Sequence, residues 1–314
     1  MASREIDIVA MGFIFNEHIV WPDGKTDGPI LGAPLSYSGV TFGKIGARVG
    51  LVSIVGTDTS PELLSPLFNC GADVTGVQFR EGESETKNFL RYREDGTKQL
   101  DYLVRSPEIK YDDIPPKYHC AKMFHLCLSD YEVPLDTVKE IRKRLPDVCI
   151  SADFGGLGGA ASSSEQREKY VGTEAQKEYL QHIDIGKCSI EDAQLAFNQT
   201  FSDYREAAQA YIEMGVGLIV VTMGADGAFI MSKNGVGSLI PAVPAYNGVV
   251  DTTGAGDAYI AAFISEFFNT KDIHSASYFA GAVASVLIEK SGGVHLDRIP
   301  DRKQVEERLN NFWR

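Results

Sequence analysis

The chain reads as an α/β fold: a central, mostly parallel sheet flanked by helices on both faces. Short apolar, β-branched runs recur along its 314 residues, and longer segments of helical period separate them. A 44% hydrophobic content is enough to bury a core without staples, so residues 1–314 are expected to form one domain.

Taken in order, residues 8–13, 49–55, 123–128, 148–154 and 218–222 read as buried strands, each a short Val, Ile, Leu or Met-rich run. Between them, residues 61–69, 134–144, 203–214, 255–268 and 273–289 carry the three-to-four-residue apolar spacing of helices. Residues 73–105 break the alternation. They are strand-like, with a turn at Glu94, Asp95 and Gly96 between flanks that mix polar and aromatic residues. Together with residues 13–34 they are expected to form a small β lid over the carboxyl ends of the sheet strands, where α/β proteins bind ligands. An exposed strand edge in such a lid would permit pairing into a homodimer.

Charge narrows the function classes. Forty-three acidic against 30 basic side chains give a net charge of −13, a field that repels nucleic acid and anionic membranes. An anionic small ligand therefore needs local help from backbone N–H groups, a helix start or a cation. The five cysteines are scattered, with no C-x-x-C pair, and read as reduced structural thiols. The charged first ten residues and the lack of a long apolar run point to a cytoplasmic protein.

The chemistry concentrates in residues 249–259. An apolar run ending at Val250 enters a small-residue turn that opens directly into a helix apolar on nearly every side. Gly254, Ala255 and Gly256 carry little side chain, so their N–H groups can approach phosphate oxygens at the positive end of the helix dipole. Asp257 stands in the first turn, beside the place where a transferring phosphoryl group would lie. Such a carboxylate suits the base that takes the proton of an attacking hydroxyl. Aspartate also caps helices without catalysing anything; the two glycines and the buried helix favour the catalytic reading.

The run Asp251-Thr252-Thr253-Gly254-Ala255-Gly256-Asp257 resembles the C-terminal signature of the ribokinase-like, or PfkB, carbohydrate kinases. Residues 32–36, 42–47 and 55–58 resemble the family's N-terminal signature, residues 220–228 its nucleotide-contacting strand end, and residues 280–293 the helix and glycine turn beside the adenine pocket. The resemblance implies ATP and Mg²⁺ as cofactors and a sugar or polyol as acceptor. It implies Asp257 as base and the N–H groups of residues 254–257 as anion hole. It gives Thr222, Gly224 and Gly227 to the nucleotide, and Glu17, Gly32, Ala33 and Ser36 to the acceptor. It further implies that Asp251 and Thr253 help to hold a monovalent cation, K⁺. Three positions depart from the family pattern. Ser36 stands where an Asn is usual, Glu17 where an Asp is, and Ser189-x-x-Asp192 replaces the Asn-x-x-Glu that organises magnesium, leaving Asp192 as the metal-side carboxylate. Equally, Glu191 and Asp192 suit the first turn of an ordinary helix.

Two further readings stay open: a nucleoside kinase on the same scaffold, and a non-catalytic protein that binds a metabolite. Gly24-Lys25-Thr26 is no P-loop, since Ile19 occupies the position of the required glycine. Residues 156–161 loosely fit a dinucleotide fingerprint but run into a serine tract rather than an apolar helix, and read as a loop whose glycines could still allow close approach to ATP or substrate. Asp153 before them, at a strand end, is a further candidate ligand contact.

Overall fold

The structure, a computed structural model, describes residues 5–94 and 98–313. In chain order the elements are β1 (Ile8–Met11), β2 (Phe15–Val20), β3 (Thr26–Gly32), α1 (Pro34–Lys44), β4 (Val49–Gly56), α2 (Pro61–Asn69), β5 (Asp73–Arg80), β6 (Thr86–Tyr92), β7 (Lys98–Val104), β8 (Met123–Leu126), α3 (Leu135–Arg144) and β9 (Cys149–Asp153). There follow α4 (Ser164–Tyr170), α5 (Glu174–Gln181), β10 (Ile185–Ser189), α6 (Ile190–Phe197), α7 (Tyr204–Glu213), β11 (Leu218–Thr222), β12 (Ala228–Ser232), β13 (Gly237–Ile240), α8 (Ala255–Thr270), α9 (Ile273–Leu287) and α10 (Arg302–Phe312).

The large sheet has the order β13-β12-β11-β10-β9-β8-β1-β4-β5, parallel from β11 to β5, with β12 and β13 added as an antiparallel edge. Both faces are covered, as the continuous apolar strands require. One apolar core joins α1, α8 and α9 to the sheet, and a second packs α3, α5 and α7 on the opposite face. Helix α8 is buried from Ala258 to Ser265. Full burial of Ile260, Phe263 and Ile264 stabilises it by about 1.5–3 kcal/mol each, so its first turn is held on a rigid rod.

A second, four-stranded sheet of order β3-β2-β6-β7 stands over the carboxyl ends of the parallel strands, with Phe15 and Ala33 in a small core beneath it that also takes Leu100 and Tyr102. The expectation that residues 73–105 belong wholly to this appendage is corrected: β5 pairs in parallel with β4 at the edge of the large sheet. Its half-exposed pattern is that of an edge strand, which alternation alone does not distinguish from a lid strand. Strands β6 and β7 pair antiparallel as expected, while Asp95 and Gly96 of the proposed turn lie outside the described residues.

Candidate active site

Parallel strands deliver their last residues to one rim, and that rim supplies Asp153 from β9 together with Lys187 and Ser189 from β10. Against it comes the start of α8. Gly254 takes a left-handed conformation (φ 79°), and a Cβ there would collide with the Tyr37 ring, so only glycine lets the turn settle on α1. The Ser38 hydroxyl donates to the Asp257 carbonyl at 3.1 Å and fastens α1 to α8 at this point.

Between these elements and the small sheet lies a cavity of about 650 Å³. Its floor is Gly254, Asp257, Lys187, Ser189 and Asp192; its roof is Phe15, Glu17, Leu90 and Leu100. Asp257 opens on this cavity. Burial, and then the charge of Asp153, push its carboxyl up to about 7, against the pull of Lys187; Asp192 and Glu17 add to the rise.

Lys187 was not singled out from sequence, although a lysine within the buried strand Ile185–Ser189 is the available signal. Its side chain is 9% exposed and its ammonium lies 3.1 Å from Asp153. It also lies 2.8 Å from where a Gly256 Cβ would stand, directly under the glycine turn. Burial alone would discharge it, but the carboxylates of Asp153, Asp192 and Asp257 together hold it protonated. Asp153 is therefore turned to Lys187 within the floor.

The acceptor-side candidates divide. Glu17 is buried and faces the cavity, its Oε2 accepting from Asn88 Nδ2 at 2.7 Å. Gly32 lies alongside, where a Cβ would stand 3.1 Å from the Glu17 carboxyl, and Ala33 lines the cavity. Ser36 does not join them. It is fully buried one turn into α1, which carries Tyr37 to the cavity instead.

Ser189 and Asp192 form a capping box. The Asp192 N–H donates to Ser189 Oγ at 3.0 Å, and the Ser189 N–H donates to Asp192 Oδ2 at 2.8 Å. The other oxygen, Oδ1, accepts from Ala160 N–H at 2.9 Å. Asp192 thus holds the glycine loop to the floor while still lining the cavity.

Thr222 lines a second cavity of about 520 Å³ with Ile190, Met223, Asp226 and Leu239; Gly224 and Gly227, both at positive φ, stand next to Met223 and Asp226 in the chain without lining it. Ile190 sits between Ser189 and Glu191, both of which line the first cavity, so the two spaces adjoin.

Asp251 and Thr253 lie beside the glycine turn. The Thr253 N–H donates to Asp251 Oδ1 at 2.8 Å, and Thr253 Oγ1 is 2.8 Å from the Tyr92 hydroxyl of β6. Both residues also bind Arg298, which is 1% exposed and was not foreseen. Among the described residues no three His, Cys, Asp or Glu side chains gather as a metal centre, and no helix is long and apolar enough to cross a membrane.

A cytidine kinase of Thermococcus kodakarensis is 26% identical, over 83% of this chain and 88% of its own. A nucleoside kinase of Methanothermobacter thermautotrophicus is 26% identical over 99% and 98%. Among solved structures, Arabidopsis thaliana ribokinase complexed with ribose and ATP superposes with a TM-score of 0.79 at 20% identity, covering 98% of this chain and 99% of that one. The model for pfkB family carbohydrate kinases matches residues 40–300, which include the whole parallel sheet from β4 onward and the Gly-Ala-Gly-Asp start of α8, and the chain belongs to that family.

Proposed function

We propose that the protein transfers the γ-phosphoryl group of ATP to a hydroxyl of a small polyhydroxylated acceptor seated under the small sheet. The observation that carries this is the meeting, on one cavity floor, of an amide-rich helix start, a carboxyl and a buried ammonium. Phosphoryl transfer asks for little else: alignment, charge stabilisation and a base.

In this reading the N–H groups of Gly254 to Asp257 and the Lys187 ammonium receive the charge on the migrating phosphoryl. Asp257 accepts the acceptor proton; its raised pKa places it where it can hold that proton and release it near neutral pH. Glu17, positioned by Asn88, orients acceptor hydroxyls, and the Ser129 hydroxyl, which has no partner among the described residues, lines the same space. ATP extends toward the second cavity, with its base beside Thr222 to Gly227. The acidic floor fits Mg²⁺ carried mainly by phosphates and water, with Asp192 and Glu191 reached through water. The ion would offset charge between ATP and the carboxylates. The small sheet acts as a lid, fastened over the glycine turn by the Tyr92–Thr253 bond and excluding water from transfer.

The apolar roof of Phe15, Leu90 and Leu100 favours a second reading for the acceptor alone. A nucleoside would place its ribose hydroxyls on Glu17 and its base against these side chains. Free cysteines fit a cytoplasmic setting for either. The test is ADP release with ribose, fructose, inositols, cytidine and adenosine, followed by identification of the phosphorylated product. Ligand-stabilised protein with no phosphorylated product from any acceptor would overturn the kinase reading.

A further inference from the structure

The family resemblance gives Asp251 and Thr253 to a monovalent cation, and the residues actually present do not fit one. The carbonyls of both residues and one Asp251 carboxyl oxygen are turned onto the guanidinium of Arg298, while Asp251 Oδ1 accepts the Thr253 N–H and Thr253 Oγ1 is bonded to Tyr92. Its Nε donates to the Lys290 carbonyl at 3.0 Å; Nη1 donates to the Gly293 carbonyl at 2.8 Å and the Tyr37 hydroxyl at 3.2 Å. Its Nη2 donates to the Thr253 carbonyl at 3.0 Å and the Asp251 carbonyl at 3.1 Å, with Asp251 Oδ2 also at 3.1 Å. Five N–H donors are the whole supply of a guanidinium, and each has an acceptor here. The group is sealed from solvent and packed over the Tyr37 ring, which in turn supports Gly254.

We infer that Arg298 is a built-in replacement for the activating cation, and that this enzyme needs no K⁺. The guanidinium remains charged at every relevant pH and cannot dissociate. A second cation placed among the same oxygens would meet a full positive charge at contact distance. The position also explains what the charge does. Drawing on the Thr253 carbonyl polarises the peptide whose other end is the Gly254 N–H, so that donor binds anionic oxygen more strongly. Arg298 touches neither reacting atom. It is a positioning residue for the anion hole.

The activity arm of the test rests on the kinase reading; two other arms do not. Wild-type protein is compared in KCl, NaCl and choline chloride, each at about 0.1 M and equal ionic strength. Its melting temperature without ligand, its affinity for ATP by calorimetry and its phosphorylation rate are measured. A cation bound only to the folded state would raise the melting temperature in KCl over choline. Agreement among the salts within about 1 °C and about threefold in affinity and rate supports the inference; tighter binding or faster turnover in KCl by more than that overturns it. The variant Arg298→Ser opens the place. If it folds by circular dichroism, ATP affinity should fall about tenfold or more in choline and recover in part with K⁺ or added guanidinium ion. Wild-type affinity in every salt would overturn the inference. If the variant does not fold, the wild-type salt comparison decides alone. Failure to phosphorylate any acceptor in any salt would count against the kinase reading and leave the melting and binding arms intact.

Discussion

Replacing Lys187 with methionine separates what its ammonium does for folding from what it does for transfer. The ion pair with Asp153 spans 3.1 Å with both side chains under a tenth exposed. Two charges at that distance attract by about 5 kcal/mol at an effective dielectric of 20, an upper bound that agrees with the ~3–5 kcal/mol lost when one partner of a buried pair is removed. For a chain of this size that is a fall in melting temperature of roughly 5–8 °C. The double variant Asp153→Asn with Lys187→Met removes the pair as a whole, leaving only Asp192 and Asp257 without the ammonium, and should regain part of the loss. Turnover should not follow. Without the ammonium under Gly256, both variants should lose about a hundredfold or more in kcat, the scale of one preorganised electrostatic contact. Thermal melting by circular dichroism and ADP-release kinetics give the two readouts. A single variant that melts within about 2 °C of wild type, or a double variant that regains full turnover, would refute the reasoning.

Asp257→Asn should cut turnover at least about a hundredfold while leaving ATP binding in place, measured by product formation and calorimetry. Relative to wild type, the same variant should gain stability as pH rises. Its wild-type carboxyl is raised from 3.8 to about 7 in the folded state, so the fold binds an extra proton between those values and loses stability as pH rises through them. The difference is absent below pH 4 and complete above about pH 7; because the carboxyl opens on the cavity, it is on the order of 1 kcal/mol, read from melts at pH 4 and 8. By the same shift, kcat/KM should climb with pH around 7 rather than around 4, and an acid limb near 4 would contradict the raised base. Gly254→Ala forces a Cβ into the Tyr37 ring at φ 79°; activity should be lost and stability should drop by about 1–3 kcal/mol in a denaturant titration.

Much of this site was legible as chemistry before it was legible as geometry. Two glycines and an aspartate ahead of an apolar helix are a local pattern, and the helix start carries its own physics wherever the chain takes it. The α/β class follows in the same way from runs such as Leu218–Thr222, whose three central residues are buried and all apolar. Less visible were features set by partners distant in sequence. Lys187 and Asp153 are 34 residues apart, and neither is informative until parallel strands bring their ends together. The sequence alone supports Ser189-x-x-Asp192 as a magnesium organiser and Glu191 and Asp192 as first-turn acids equally; in the structure the capping box is made, and both Asp192 carboxyl oxygens accept backbone N–H groups. Ser36 looked like an acceptor contact because it follows a glycine turn, but helix α1 begins at Pro34 and rotates it inward. Edge strand β5 is not distinguishable from an appendage strand by sequence, because half-exposed strands of either sheet alternate alike.

Arg298 gives the order of synthesis a meaning. A nascent chain that has presented Asp257 but not yet residue 298 has its carboxyl and glycines without the guanidinium that grips the carbonyls of Asp251 and Thr253. Until that late segment emerges and threads inward against Tyr37, the half-made protein lacks an organised phosphate cradle, and ribosome-bound fragments should not consume nucleotide.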